Sequence, residues 1–378
     1  MADPTPYIQA LSDARARIVG DGGLGQRTAA EMRRALAQML VDLNRDVENE
    51  KLTARRAERL RANIERGLQR FRDQALVVLE DGRRQAIEQA VEGHTAGLAA
   101  LAEQAPPAAG TIEVGGAFAD VPEAVLQTAM TRRAIGGAET FRTLINRNVQ
   151  EVARDLDDVI ESGVGRGVSQ QRLTKGITEQ LTRNDPELKD LAQTMGRERG
   201  VEVEGDEDPI PITEEELDRA QRLEYDARRI AVTEINSHYH EADVIAAVQS
   251  PVIDLLRWQT SSQHTADKRY VPDVCDFLEA ADVQGYGPGL YHPAAAPSHA
   301  HPFCQCRYEK VFFDPEDYGS GMRDLPRERE LSETDVEDLL TDLEGNRSIT
   351  EKYVKRQREV AQQHLDAARS VAEELVGG

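Results

Sequence analysis

Cysteine is scarce in this chain, three residues in 378, and three thiols cannot form a closed set of disulfides. Two of them stand a single residue apart, so a disulfide-stapled scaffold is excluded as the source of stability. Aromatic residues make up only 4%, with one tryptophan, Trp258, so most cores must be built from Ala, Leu and Val on helices. No run approaches the roughly 18 to 20 apolar residues needed to cross a bilayer. The opening stretch MADPTPYIQALSDARARIV also lacks the charged and apolar regions of a secretory signal. A protein made and used in a soluble compartment, with no membrane association, is expected.

Positive charge is in deficit as well: 46 Lys and Arg face 68 Asp and Glu, a formal charge of −22. That balance argues against a general nucleic-acid coat, which works by neutralising phosphates, and leaves room only for a local basic face. Lysine is rarer still, seven of the 46 basic residues. An acidic, lysine-poor, arginine-using surface suits concentrated salt, where carboxylates hold water and their mutual repulsion is screened. This favours a halophilic source; codon bias in a GC-rich genome is the alternative.

What the chain has in quantity is helical periodicity. Met32, Leu36, Met39, Leu43 and Val47 recur at three- and four-residue steps, as do Leu60, Ile64, Leu68, Phe71, Ala75 and Val78. Between these stripes the faces carry arginine and glutamate, which predicts long helices in a hairpin or bundle. EQAPPAAGTIEVGGAF breaks the pattern, helical spacing resumes from Phe141 to Val159, GVGRG (163–167) stops it, and Ser169 is placed to cap the next helix. An acidic, Pro-containing loop then leads to a long amphipathic helix, followed by short β-like pieces, DLLRWQT and CRYEKVFF.

The expected fold is mainly α, with long helical bundle or hairpin regions, a small α+β metal-stapled domain and a helical C-terminal tail. Its expected boundaries are an N-terminal helical region (1–104), a linker (105–118), a second helical region ending in the acidic loop (119–212), a Cys/His domain (213–318) and the tail (319–378).

The scarce cysteines are concentrated. HAHPFCQC (299–306) holds two of the three, with Cys275 upstream in DVCDFLEAAD, and six of the eight histidines fall between 238 and 301. Structural zinc takes four N or S ligands, and a CxC pair beside a histidine is sterically able to turn two thiolates onto one ion. The same segment offers a second chemistry: His264, Asp267, His299 and His301 could hold a catalytic metal with a position open to water, as a nuclease or hydrolase requires. Three thiolates and a histidine, however, fill a tetrahedral ion and leave nothing open. A metal-free assembly scaffold with reduced, buried thiols is the third reading. His238 and His240, two apart on a helix, cannot both face one ion easily.

The succession Ala227-Arg228…Ala231…Thr233-Glu234 on a helix, a strand with Trp258, then Asp267, Cys275 and the HPxCxC run of His301, Pro302, Cys304 and Cys306 resembles the phage head morphogenesis family, the minor head proteins related to phage Mu protein F. The resemblance covers about residues 140 to 315. It implies a zinc set of Cys275, His301, Cys304 and Cys306, with His301 preferred over His299 by the HPxCxC spacing. Leu278 stands where that family has a second cysteine of CxxC, and Gln305 replaces its usual arginine. The resemblance further implies a non-enzymatic minor capsid protein of a tailed virus. Such a protein associates with the portal protein inside the head during assembly and is present in multiple copies per virion. The major capsid protein and viral DNA are its further partners, and host cytoplasm is its location before it enters the virion.

Overall fold

Two compact units divide the chain, one formed by residues 1–25, 82–138 and 233–378, the other by 26–81 and 139–232. The computed structural model describes residues 3–19, 22–45, 47, 50–104, 118–119, 121–122, 125, 140–183, 185–203, 214–261, 274–282, 285–297 and 303–312. The expected C-terminal tail, and nearly all of the expected linker, lie outside the described residues. Among the described residues there are eight α-helices and one three-stranded sheet, so the fold is mainly α with a small α+β region. Each unit is assembled from separated segments, whereas the expected regions are consecutive blocks. The difference arises because the periodicity of a long helix carries no mark where its neighbours change.

The second unit contains α2 (Leu24–Asn44, from residue 26), the first part of α3 (Ala54–Gln104), α4 (Phe141–Arg166), α5 (Gln170–Thr182), α6 (Pro186–Glu198) and the first part of α7 (Glu214–Gln249). Most of each stripe read from the sequence is its core: Met32, Leu36, Leu60, Leu68 and Phe71 are buried, while Val47, past the end of α2, and Val78 are half-buried. Ser169 caps α5, its side chain accepting from the Arg172 amide. The glycine run does not stop α4 at its start: the helix runs through Gly163 and Gly165, and Gly167 ends it at φ 64°. Only the last glycine adopts the left-handed conformation that an L side chain resists, and a Cβ there would lie 2.9 Å from the Lys51 side chain. Arg33 gathers Asp185, Glu187 and Glu224, the first at 3.1 Å and the last at 2.8 Å, with Arg33, Asp185 and Glu224 largely buried.

The first unit holds α1 (Thr5–Ile18), residues 82–104 of α3, residues 233–249 of α7, strands β1 (Ile253–Gln259), β2 (Leu290–Tyr291) and β3 (Arg307–Phe312), the short helix α8 (Val274–Ala280) and a 3-10 turn at Pro293–Ala295. The sheet order is β2-β1-β3, antiparallel throughout, with Trp258 opposite Tyr308 and Leu256 opposite Tyr291. Both predicted β pieces are strands, and β2 arises inside a segment read as a Gly/Pro loop. Two residues are too few to show alternation.

Helix α1 lies inside the expected N-terminal helical region (1–104), in a part where no buried stripe is predicted. Tyr7, Leu11, Ala14 and Ile18 give it a buried face, and Pro6 falls in the first turn, where its missing N–H costs nothing. It packs closely because α3 presents a glycine: a Cβ on Gly97 would sit 2.7 Å from the Tyr7 ring.

Beneath α1 runs a buried polar chain. The Tyr7 hydroxyl lies 2.7 Å from His94 Nδ1, His94 Nε2 lies 3.0 Å from Asp243, and Lys310 Nζ donates to the other oxygen of Asp243. Burial lowers the pKa of His94 more than Asp243 raises it, which keeps the ring neutral with its proton on Nε2. Lys310 and His94 outweigh the burial of Asp243 and hold its carboxyl far below the usual range.

Candidate metal centre

The three cysteines reach one point from two places in the chain. Cys275 is the second residue of α8; Cys304 and Cys306 lie in the segment that enters β3. All three are buried. Two devices aim the CxC pair. Phe303 adopts φ 60°, a left-handed conformation that costs a bulky residue about 1 kcal/mol or more and must be held by its surroundings. The support comes from one face of α7: the Phe303 amide donates to Thr233 Oγ1 at 3.1 Å, and Asn236 Nδ2, three residues on, donates to the Cys304 carbonyl at 3.4 Å.

The sulfur atoms all lie within 4.8 Å of one another, and Cys275 Sγ is 3.7 Å from Cys304 Sγ. A disulfide needs about 2.05 Å. Thiolates held about 2.3 Å from one tetrahedral ion stand about 3.8 Å apart, so the observed spacing fits an edge of a metal tetrahedron.

Electrostatics point the same way. Contacts with Cys304 and Cys306, followed by burial, drive the thiol pKa of Cys275 far upward. For Cys306 the contact with Cys275 acts downward, but Cys304 and burial outweigh it and push the pKa up to about 12. Three crowded, buried thiols cannot ionise together against their mutual repulsion, and a divalent cation among them supplies the missing charge. The cluster can therefore bind a metal ion. No family model, curated protein or solved structure matches this chain. The chemistry of the site thus rests on its own residues.

Among the described residues these cysteines form the one group arranged to hold a metal. His301, the fourth residue of the expected set, lies outside the described residues, as do His299, His264, Asp267 and Arg269. His238 and His240 are engaged elsewhere. His238 Nε2 accepts from Arg83 at 2.9 Å and its Nδ1 reaches the Glu234 carbonyl at 2.6 Å. His240 stacks on Tyr308 with ring centroids 5.0 Å apart. Both are core histidines, and they turn to different partners, in keeping with a spacing that does not let both face one ion. Leu278, at the position of the absent cysteine, is fully buried one turn beyond Cys275.

The residues that sequence reasoning missed are Asn236 and Phe303. An asparagine three residues after the threonine was a legible signal, since that spacing shares a helix face. The conformation of Phe303 had none, because phenylalanine disfavours it.

Proposed function

We propose that this chain is a minor head protein of a tailed virus. In this reading it associates with the portal protein inside the head during assembly, touches the major capsid protein and packaged DNA, is present in several copies per virion, and catalyses no reaction. Its ion is zinc and its role structural, with Cys275, Cys304 and Cys306 completed by His301. The observation that carries the reading is convergence. Thr233 of the Thr-Glu helix, Cys275 and the CxC pair are separated by up to 73 residues in the chain, yet they meet at one site, with Thr233 bonded to the loop that delivers Cys304 and the Trp258 strand paired with β3 from Arg307, next to Cys306.

The physical role of the ion is that of a cross-link. Joining Cys275 to Cys304 closes a loop whose ends are 29 residues apart, worth about 3 to 4 kcal/mol by the loop-closure estimate used for disulfides. It ties α8 to the entry of β3 in a region too loop-rich to be fixed by its core alone.

The functional claim is tested by mass spectrometry of purified virions and by co-sedimentation of the full chain with portal oligomers of the same virus. Recovery in the virion and co-sedimentation are expected. Absence from virions together with no portal association would refute the assignment.

A further inference from the structure

A cleft of about 390 Å³ opens in the first unit, between the Arg15 side of α1 and strand β3, beside the cysteine cluster. Its charged lining comes from three elements. Arg15 belongs to α1, Asp243 to α7, and Arg307, Glu309 and Lys310 to β3. The internal pairings leave a specific remainder. Lys310 is bound to Asp243, whose other oxygen is occupied by His94. Glu309 accepts from Gln259 at 2.8 Å and lies 3.8 Å from Arg257 outside the cleft.

The two arginines have no such partner. Arg15 donates to the Gln305 carbonyl and Arg307 to Gln259 Oε1 at 3.1 Å, both neutral acceptors, and neither forms an ion pair among the described residues. Arg15 is largely withdrawn from solvent, and burial, reinforced by the positive charge of Arg307 and opposed by Tyr239, Asp243 and Cys306, lowers its pKa.

Two guanidiniums that face one cleft and repel each other, with no carboxylate bonded to either among the described residues, are an unusual arrangement in a chain with 68 acidic residues to draw on, although Asp243 and Glu309, both engaged by other partners, line the same cleft. Elsewhere the fold does supply acids to a withdrawn arginine, as it does for Arg33. An arginine fork is shaped for planar or tetrahedral oxyanions, and two guanidiniums with no carboxylate bonded to them match a dianion better than a single carboxylate. The cleft also exceeds the size of a bare phosphate and has room for a small organic group attached to one.

We propose that the cleft binds a phosphate group, free or carried on a small phosphomonoester, with Arg15 and Arg307 as its two ligands and Lys310 and Asp243 as a neutral paired floor. The site adjoins the metal centre, sharing Cys306 in its lining, and does not depend on the virion assignment.

Isothermal titration of the full chain, at constant ionic strength in chloride buffer, tests it with three probes: inorganic phosphate, adenosine 5′-monophosphate and adenosine. Saturable one-to-one binding of a phosphate-bearing probe is expected, about tenfold weaker in each of Arg15→Gln and Arg307→Gln and unchanged in Arg17→Gln, an exposed arginine of the same helix. The exposed Arg307 keeps the test valid should the Arg15 variant fold poorly. Phosphate binding as well as the nucleotide identifies a free-phosphate site, and tighter nucleotide binding identifies a phosphomonoester site. No saturable binding of either phosphate-bearing probe, adenosine binding as well as the nucleotide, or full affinity in Arg307→Gln would overturn the proposal.

Discussion

Replacing Asp243 with asparagine removes one charge from a buried polar network of the first unit, and the cost follows from what is left behind. Lys310, with 3% of its side chain exposed, loses the one counter-ion it has among the described residues, while His94 and Tyr7 remain buried beside it. An asparagine offers one oxygen to two donors, so its NH₂ group must face either Lys310 or His94. Removing one partner of a buried pair costs about 3 to 5 kcal/mol. The upper limit is set by the lysine itself, which escapes by shedding its proton. From an ordinary pKa near 10.4 down to pH 7, that costs about 1.4 kcal/mol per unit, or about 5 kcal/mol in all.

The sign of the pH dependence follows. A buried, unpaired lysine has a folded-state pKa below its unfolded value, so its penalty is full at low pH and shrinks as pH rises towards the unfolded value. The nearby charges bearing on Asp243 come from α1 (Arg15) and α3 (His94) as well as β3, and Tyr239 lies on its own helix. None of these is expected to change its charge between pH 7 and 9. Urea unfolding of wild type and Asp243→Asn at both values should therefore show the penalty falling by about 1.4 kcal/mol per pH unit, and the added change Lys310→Met should recover much of it. A cost under about 1 kcal/mol, or one independent of pH and not relieved by Lys310→Met, would refute the paired, enclosed network.

Acidification of the wild type should destabilise in two steps. The neutral, buried His94 has a lowered pKa, so its contribution is present above the unfolded value near 6.5 and is lost below it; Asp243, also lowered, follows below about 4. Stability measured from pH 7 to 4 should be level above about pH 6.5 and fall as the pH drops below it, and a flat profile down to pH 5 would contradict a neutral His94. In the second unit, Arg33→Ala strands Asp185 and Glu224 and should cost about 3 kcal/mol in urea unfolding; a loss under 1 kcal/mol would mean that these acids reach water. With a charge of −22, self-repulsion should make the melting temperature climb from about 0.1 M to 2 M potassium chloride, and an unchanged value would remove the argument for a high-salt protein.

The helices were legible because burial repeats along them: Met32, Leu36, Leu60 and Phe71 were placed by spacing alone and all lie in the core. Ser169 was legible because a cap is a local event. The interleaving of the two units was not, since α3 keeps one periodicity across residue 82 while its neighbours change. The buried face of α1 was hidden because it is short and rests on Gly97, a residue whose meaning appears only when Tyr7 is beside it. At the metal centre the scarcity of cysteine drew attention to Cys275, Cys304 and Cys306, and rarity is a sequence property. How the CxC pair is aimed was not readable: it depends on Thr233 and Asn236 holding Phe303 in a conformation phenylalanine avoids.

The central claim is that these three thiols hold an ion, and metal analysis of the full chain purified without chelators tests it most directly. About one zinc per chain is expected, released in Cys304→Ser with loss of hydrogen-exchange protection along β1 and β3 while α2 stays protected. Metal-free wild-type protein, or a Cys304→Ser variant that keeps both its metal and its protection, would contradict it.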